Sequence, residues 1–342
     1  MKNLPTSSTR GSRKRDAAAL LVLTGLTVLA AVLSILLGPV SLNLSQLAGA
    51  FFGGDPQSAA YRIVWFVRLP RTCACLLAGV SLAVSGAMIQ AVLSNPLAAP
   101  NVIGVNAGAG LMVSLCCAAF PGAVGLVPLA AFAGAFASVI LVLFIAQRTG
   151  ASRITLVLAG VAVSNVFGAG VDAVVTLIPD ALNGYSDFRI GGMENVPMSR
   201  IAPAFWIILL CLILAMTLHN ELDVLLLGSE TAQSLGMPVK MLRIVLLAIA
   251  AALAGAAVSF SGLIGFVGLI VPHIMRRLVG EDSGILLPAS ALGGAVFLTA
   301  CDLLARLLAA PYELPVGVVL SFVGGPFFIW LLLRQRGGRI HD

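Results

Sequence analysis

Arg71–Arg148 reads RTCACLLAGVSLAVSGAMIQAVLSNPLAAPNVIGVNAGAGLMVSLCCAAFPGAVGLVPLAAFAGAFASVILVLFIAQR, and between its two terminal arginines there is no Asp, Glu, Lys, Arg or His. The only punctuation is Asn95-Pro96, Pro100-Asn101 and Pro121-Gly122, dipeptides that mark turns. A helix that crosses a bilayer needs about 20 apolar residues. The interval therefore predicts three consecutive spans. The rest of the chain has the same character: of 342 residues, 59% are hydrophobic and 10% charged, with a mean hydropathy of +1.06. A soluble domain carries about 25% charged residues. The composition defines an all-α, multi-spanning membrane protein and excludes a soluble globular enzyme.

Positive charge orients the spans. Lys2, Arg10, Arg13, Lys14 and Arg15 precede the apolar run Ala17–Leu37, which is too long for a signal-peptide core and has no small-x-small cleavage site after it. It reads as a retained first span behind a cytoplasmic tail, residues 1–16. Further spans are predicted over about 154–178, 201–219, 241–260, 263–275, 285–305 and 315–333, making ten within a membrane domain of residues 17–333. Arg148 and Arg153, Lys240 with Arg243, Arg276 with Arg277, and Arg334, Arg336 and Arg339 of the cytoplasmic tail 334–342 then lie inside. The net charge of +6 is accounted for by this orientation and calls for no nucleic-acid partner. Six arginines break the rule and fall outside: Arg62, Arg68, Arg71, Arg189, Arg200 and Arg306. From the residues alone, Arg68 and Arg71 read as side chains long enough to reach outer lipid headgroups.

An offset of 176 shows one pattern twice: Gly79-x5-Ser85-Gly86-x9-Pro96 and Gly255-x5-Ser261-Gly262-x9-Pro272. The copies fall on spans of opposite direction, as in inverted-topology transporters. Small residues allow close backbone approach. Non-helical backbone at membrane depth is tolerated only where it meets protein or a water-filled path. Ser85, Gly86, Asn95 and Pro96 in the first copy, and Gly262, Gly265, Gly268 and Pro272 in the second, are therefore candidates either for a broken helix lining a pathway or for tight helix packing.

Buried ionisable groups are few. Asp302 and Arg306 have the spacing of an i,i+4 salt bridge, His273 sits beside Arg276 and Arg277 near the inner surface, and Asp172 is the one candidate for coupling to an ion gradient. Cys73, Cys75, Cys116, Cys117, Cys211 and Cys301 all fall in apolar stretches without histidine at ligand spacing and read as packing residues. The sequence points to no metal site, cofactor or catalytic residue. No G-x-x-x-x-G-K-[ST] occurs, so ATP, if it drives this protein, is hydrolysed by another subunit.

The longest internal segment, residues 220–243, contains LGSETAQSLGMP at 227–238. Ser229 can cap a short helix, Glu230 suits its first turn, Gly236 can end it in the left-handed conformation and Pro238 prevents its resumption. The segment is either a contact for a soluble partner or a plain connecting turn.

Read together, RLPRTCACLLAGVSLAVSGAMIQAVLSNPLAAPNVIGVNAGAG (68–110), LGSETAQSLGMPV (227–239), GLIGFVGLIVPHIMRRLVG (262–280) and ELPVGVVLSFVGGPFFIWLLL (313–333) resemble the permease subunits of bacterial ABC importers for iron chelates and vitamin B12, from about residue 60 to the carboxyl end. The resemblance implies a type II importer permease of ten spans in the bacterial inner membrane, with both termini cytoplasmic, that imports iron-siderophore complexes or a related chelate such as haem or cobalamin. It also implies a second permease copy or paralogue, two ATPase subunits that hold ATP and magnesium, and a periplasmic or lipid-anchored binding protein. The family's ATPase-coupling segment corresponds to Ser229, Glu230, Ala232, Leu235 and Gly236, and its binding-protein docking arginines to Arg68, Arg71 and Arg306. Two departures stand out. Phe188-Arg189-Ile190-Gly191-Gly192 replaces the usual Trp-x-x-Gly-Ser, and Ser94 replaces the basic residue before Asn-Pro-Leu-Ala. Without the resemblance, an ion-coupled secondary carrier would fit the inverted repeat equally well.

Overall fold

The computed structural model describes residues 8–52, 55–149, 153–310 and 312–336. Among them all regular structure is helical. In chain order the helices are α1 (Ser8–Leu36), α2 (Leu44–Phe51), α3 (Ala59–Arg62), α4 (Leu69–Leu93), α5 (Val105–Ala119), α6 (Val127–Arg148), α7 (Arg153–Leu177), α8 (Ala181–Ile190), α9 (Met198–Thr217), α10 (His219–Leu226), α11 (Ser229–Ser234), α12 (Val239–Ser261), α13 (Val267–Val279), α14 (Ser283–Leu308) and α15 (Val316–Arg336). A π-turn over Ile63–Arg68 joins α3 to α4, and a 3₁₀ turn over Pro100–Ile103 precedes α5.

The uncharged interval holds three helices, α4, α5 and α6. Among the described residues seven segments are long and apolar enough to cross a membrane: α1 from Arg15, the joined stretch Ala59–Leu93, α6, α7, α9, α12 and α14. α5 and Val316–Leu331 are apolar but shorter. Two boundaries differ from expectation. α1 begins at Ser8, inside the stretch expected to be a tail, because its basic residues are also good helix formers; the parts of the two tails at 1–7 and 337–342 lie outside the described residues. The segment expected at 263–275 is displaced to α13, because residues 262–266 are not helical.

α4 is the axis of the bundle, with α12, α13 and α14 packed on it. Lipid tails are as apolar as leucine, so helices in a membrane associate through close packing and interhelical hydrogen bonds. Both devices are present. A Cβ on Gly79 or on Gly294 would lie 2.2 Å from the other residue's carbonyl oxygen, and one on Gly86 would lie 1.9 Å from that of Gly268. These backbones touch. The Ser81 hydroxyl donates to Leu253 O at 2.7 Å and that of Ser85 to Ala250 O at 2.6 Å, stitching α4 to α12. Outlying helices α1, α7 and α9 expose Leu21, Leu158 and Trp206.

α13 has 13 residues, about 20 Å at 1.5 Å per residue, which is less than the roughly 30 Å of hydrocarbon in a bilayer. A non-helical segment, residues 262–266, lies directly ahead of it. α5, with 15 residues, is preceded in the same way by residues 94–104. Each short helix opens on a left-handed residue, Gly104 at φ +86° and Phe266 at φ +67°. Glycine adopts that conformation freely. Phenylalanine does not, and its ring is held in the space left by Gly324 of α15, where a Cβ would fall 2.2 Å from the ring.

Candidate functional site

One end of the bundle gathers Arg68, Arg71 and Arg306, and buries all three: they are 3%, 5% and 2% exposed. This differs from the expectation of arginines that reach into lipid headgroups or project toward a partner. Arg68 Nη1 donates to Ile35 O and Leu36 O at 2.8 and 2.7 Å, and its Nη2 donates to Val40 O. Arg306 donates to Ser34 O at 3.1 Å, Leu37 O at 3.3 Å and the Ser34 hydroxyl at 2.8 Å. A helix leaves its last four carbonyls without intrahelical partners, and its C-terminus favours a cation. Arg68 and Arg306 therefore cap the end of α1, and Gly38 leaves room for the Arg68 guanidinium.

Arg71 has a different role. Its Nε donates to both carboxylate oxygens of Asp302 at 3.0 and 3.1 Å, and Nη2 lies 2.9 Å from Oδ1. Nη1 pairs instead with Glu313, in the turn between α14 and α15. The expected Asp302–Arg306 pair forms at 3.1 Å, but Asp302, wholly buried, is shared between two arginines. Neither Asp302 as a partner of Arg71 nor Glu313 at all emerged from sequence reasoning. The pairs join residues more than 230 positions apart, and no local spacing signals them.

Beside this cluster lies a cavity of about 660 Å³ lined by the ends of α5, α6, α8 and α12 and by the loop 191–196, including Cys116, Cys117, Asp187, Glu194, Arg200 and Gly262. Its floor is a backbone clasp. Leu263 N donates to Phe188 O at 2.9 Å, Gly192 N to Ser261 O at 3.0 Å and Gly317 N to Gly191 O at 3.2 Å. Gly191 at φ +72° and Gly262 at φ +71° make the contact possible, since a Cβ on Gly262 would lie 2.5 Å from Phe188 O. The unusual Phe188–Gly192 stretch thus holds the broken segment before α13. Glu194 is exposed, and partial desolvation by its surroundings pushes its carboxyl above the ordinary 4.5; Arg71 opposes this shift, and Glu313, Asp302 and Asp187 add to it.

The eight residues considered for a broken helix separate. Ser85, Gly86, Gly268 and Pro272 are buried in contacts between helices, so their smallness serves packing. Gly262 borders the cavity, and Gly265 lies in the non-helical segment near the Asn101 amide. Asn95 and Pro96 form an exposed turn in which Asn95 Oδ1 accepts from Leu97 N at 2.9 Å. Pro272 sits inside α13 without ending it; the break precedes the helix. The six cysteines are free thiols, and Cys116 and Cys117 line the cavity rather than only filling packing space.

At the opposite end, α10 packs on α4 and α14, and Asp223 Oδ1 accepts from Ser283 N at 2.9 Å at the start of α14. α11 follows. Ala232 is fully buried and anchors it, whereas Glu230, Leu235 and Gly236 are exposed. Gly236 at φ +82° donates to Gln233 O at 2.9 Å, and Met237 N donates to Ala232 O at 3.1 Å, the paired bonds of a Schellman ending. Ser229 departs from expectation. Gly228 at φ +107° occupies the N-cap, because its backbone needs a conformation disfavoured for serine, and the Ser229 hydroxyl accepts from Arg243 at 2.5 Å. Arg15 donates to Leu278 O at this same end, at 3.2 Å.

Among the described residues no group of three or more His, Cys, Asp or Glu side chains is placed to hold a metal ion. Asp172 is exposed on α7 and outside the cavity lining.

The fold is an all-α, multi-pass membrane permease fold of the kind found in type II ABC importers. Residues 26–334 match the model of the FecCD transport family. The chain is 39% identical to the iron(3+)-hydroxamate import system permease protein FhuB of Bacillus subtilis, over 98% of this chain and 89% of that one. It is 38% identical to the hemin transport system permease protein HmuU of Yersinia pestis, over 90% and 95%. It also superposes on a transporter assigned to the metal-chelate type of ABC systems, in an inward-facing conformation, with a TM-score of 0.82, 29% identity and coverage of 92% of this chain and 98% of that one. The chain belongs to the FecCD transport family. It is a multi-pass membrane permease subunit of an ABC importer of that family. This membership replaces the ion-coupled carrier.

Proposed function

We propose that the chain spans the membrane ten times with both termini cytoplasmic, and moves a ferric siderophore from an external binding protein to the cytoplasm as one of two permease copies or paralogues above two ATPase subunits. Haem and cobalamin are the alternative cargoes. The observation that carries the ATPase assignment is α11, a short helix pinned by buried Ala232 with Glu230 and Leu235 facing outward. It is an exposed handle seated on a segment tied to α4 and α14, so movement of the handle reaches the helices at the centre of the bundle.

The orientation draws support from the sorting of charge. Arg15 meets α13 at one end, and Arg68, Arg71 and Arg306 cluster at the other. Inverted repetition draws support from paired features: α4 packs on α14 as α12 packs on α6, and α5 and α13 are both short helices opening on a left-handed residue. Tight chelate binding by this chain is unnecessary, because affinity can reside in the binding protein.

The test uses the permease reconstituted with its ATPase and the binding protein whose loss abolishes uptake. Glu230→Arg is expected to abolish ATP-driven chelate uptake while the permease remains folded. Uptake at the wild-type rate would remove α11 from the coupling role. Competition among hydroxamate and catecholate siderophores, haem and cobalamin identifies the cargo.

A further inference from the structure

Of the three arginines in this cluster, two are committed to the end of α1, which leaves Arg71 as the cation of the cluster that can exchange partners. Its guanidinium is held on one side: Asp302, fully buried, takes Nε and approaches Nη2. The remaining nitrogen, Nη1, points to Glu313. Glu313 is 27% exposed where Arg71 is 5%, so Glu313 is the outer member of the pair and covers the arginine from the water side. It is carried by the connection between α14 and α15, where residues 309–310 and 312–315 are not helical, rather than by a packed helix. Tyr312 beside it is 80% exposed.

We propose that Glu313 is a built-in competitor for the external binding protein: it occupies the outward-facing nitrogen of Arg71, and docking proceeds by exchange of this carboxylate for one on the partner. The proposal rests on the reading that an acidic binding protein docks at this end. Asp302 keeps the guanidinium aligned during the exchange, so that Nη1 is presented without reorientation, and a bidentate hold of this kind is the geometry for which arginine suits better than lysine. An intramolecular acid at the docking position lowers the affinity of any weakly charged partner and favours one that places a carboxylate on the same nitrogen, which is specificity obtained through competition.

Two measurements on the full chain in lipid nanodiscs test this. Arginine-selective labelling with phenylglyoxal, read at Arg71 by mass spectrometry, reports the cover without any partner. Docking of the purified binding protein that supports uptake, read by surface plasmon resonance, reports the competition. Glu313→Gln is expected to label Arg71 several-fold faster and to tighten docking by roughly three-fold or more, the scale of one partly exposed ion pair. Glu313→Asp, which keeps the charge and shortens the reach, should fall between wild type and Glu313→Gln and serves if the latter is unstable. Unchanged or weaker docking by both variants overturns the competitor role, as does unchanged labelling. If wild-type docking is itself insensitive to Arg71→Gln, the underlying assignment of this face to the binding protein fails, and the proposal with it.

Discussion

The two ends of the molecule are built on different principles. At the outer end three arginines, Asp302 and Glu313 are tied together across α1, α4, α14 and the turn before α15, with every guanidinium almost wholly buried. At the inner end α11 is closed by its own neighbours, Gly228 before it and the Schellman pair of Gly236 and Met237 after it, and only Ala232 is deeply seated. The outer end is a tertiary object that depends on the whole bundle. The inner end is a local motif presented on the bundle. Substitutions at the outer end should therefore cost stability, and those on α11 should cost function with the fold intact.

The sharpest way to break that contrast is Asp302→Ala. It leaves Arg71 and Arg306 without their buried counter-charge, a loss of about 3–5 kcal/mol, and thermal unfolding in detergent should show a collapse in stability or in yield of folded protein. A wild-type melting temperature would mean that the cluster is solvated. Next in size is Gly86→Val, which drives a side chain into the Gly268 carbonyl. Overpacking of this kind costs about 1–3 kcal/mol, and the same melting assay should register it even though no charge changes.

Gly236→Val places a branched residue at φ +82°, where left-handed backbone costs a side chain about 1–2 kcal/mol. Since α11 is local, the global melting temperature should move little while stimulation of ATP hydrolysis by the loaded binding protein is lost. Equal losses of stability and coupling would erase the distinction between the two ends. The smallest effect concerns Glu194. Its exposed carboxyl is raised by partial desolvation in the folded state, so the folded chain binds its proton slightly more tightly than the unfolded chain does. That contribution to stability is present below the ordinary value of 4.5 and fades as pH rises through the higher folded value. Glu194→Gln should match wild type in acid and become slightly the more stable of the two toward neutral pH; a difference of constant size across that range would assign the effect to something other than this carboxyl.

Much of the fold was legible because the decisive quantity is additive along the chain. An uncharged interval of 76 residues must leave water, and its Asn-Pro and Pro-Gly breaks mark where α4, α5 and α6 begin and end. Helix boundaries were least legible where tertiary contacts hold the backbone out of a helix, as at residues 262–266, where the Leu263 amide donates to Phe188 O and Gly262 and Leu263 pack closely on Gly191. Gly236 was legible since a left-handed ending is a property of one residue. Ser229 was misread as a cap because the conformation at Gly228 decided otherwise.

By itself the sequence determined a membrane-embedded, all-α chain, the approximate place of its long helices and the position of α11, all consequences of transfer free energy and local backbone preference. Only the tertiary structure decided what the external arginines do. The positive-inside rule identified Arg68, Arg71 and Arg306 as anomalies, but their partners lie on helices distant in sequence: the carbonyl end of α1 for Arg68 and Arg306, and Asp302 with Glu313 for Arg71. A buried charge must find its counter-charge in space, and helix neighbours across a bundle are set by packing that no stretch of sequence contains alone.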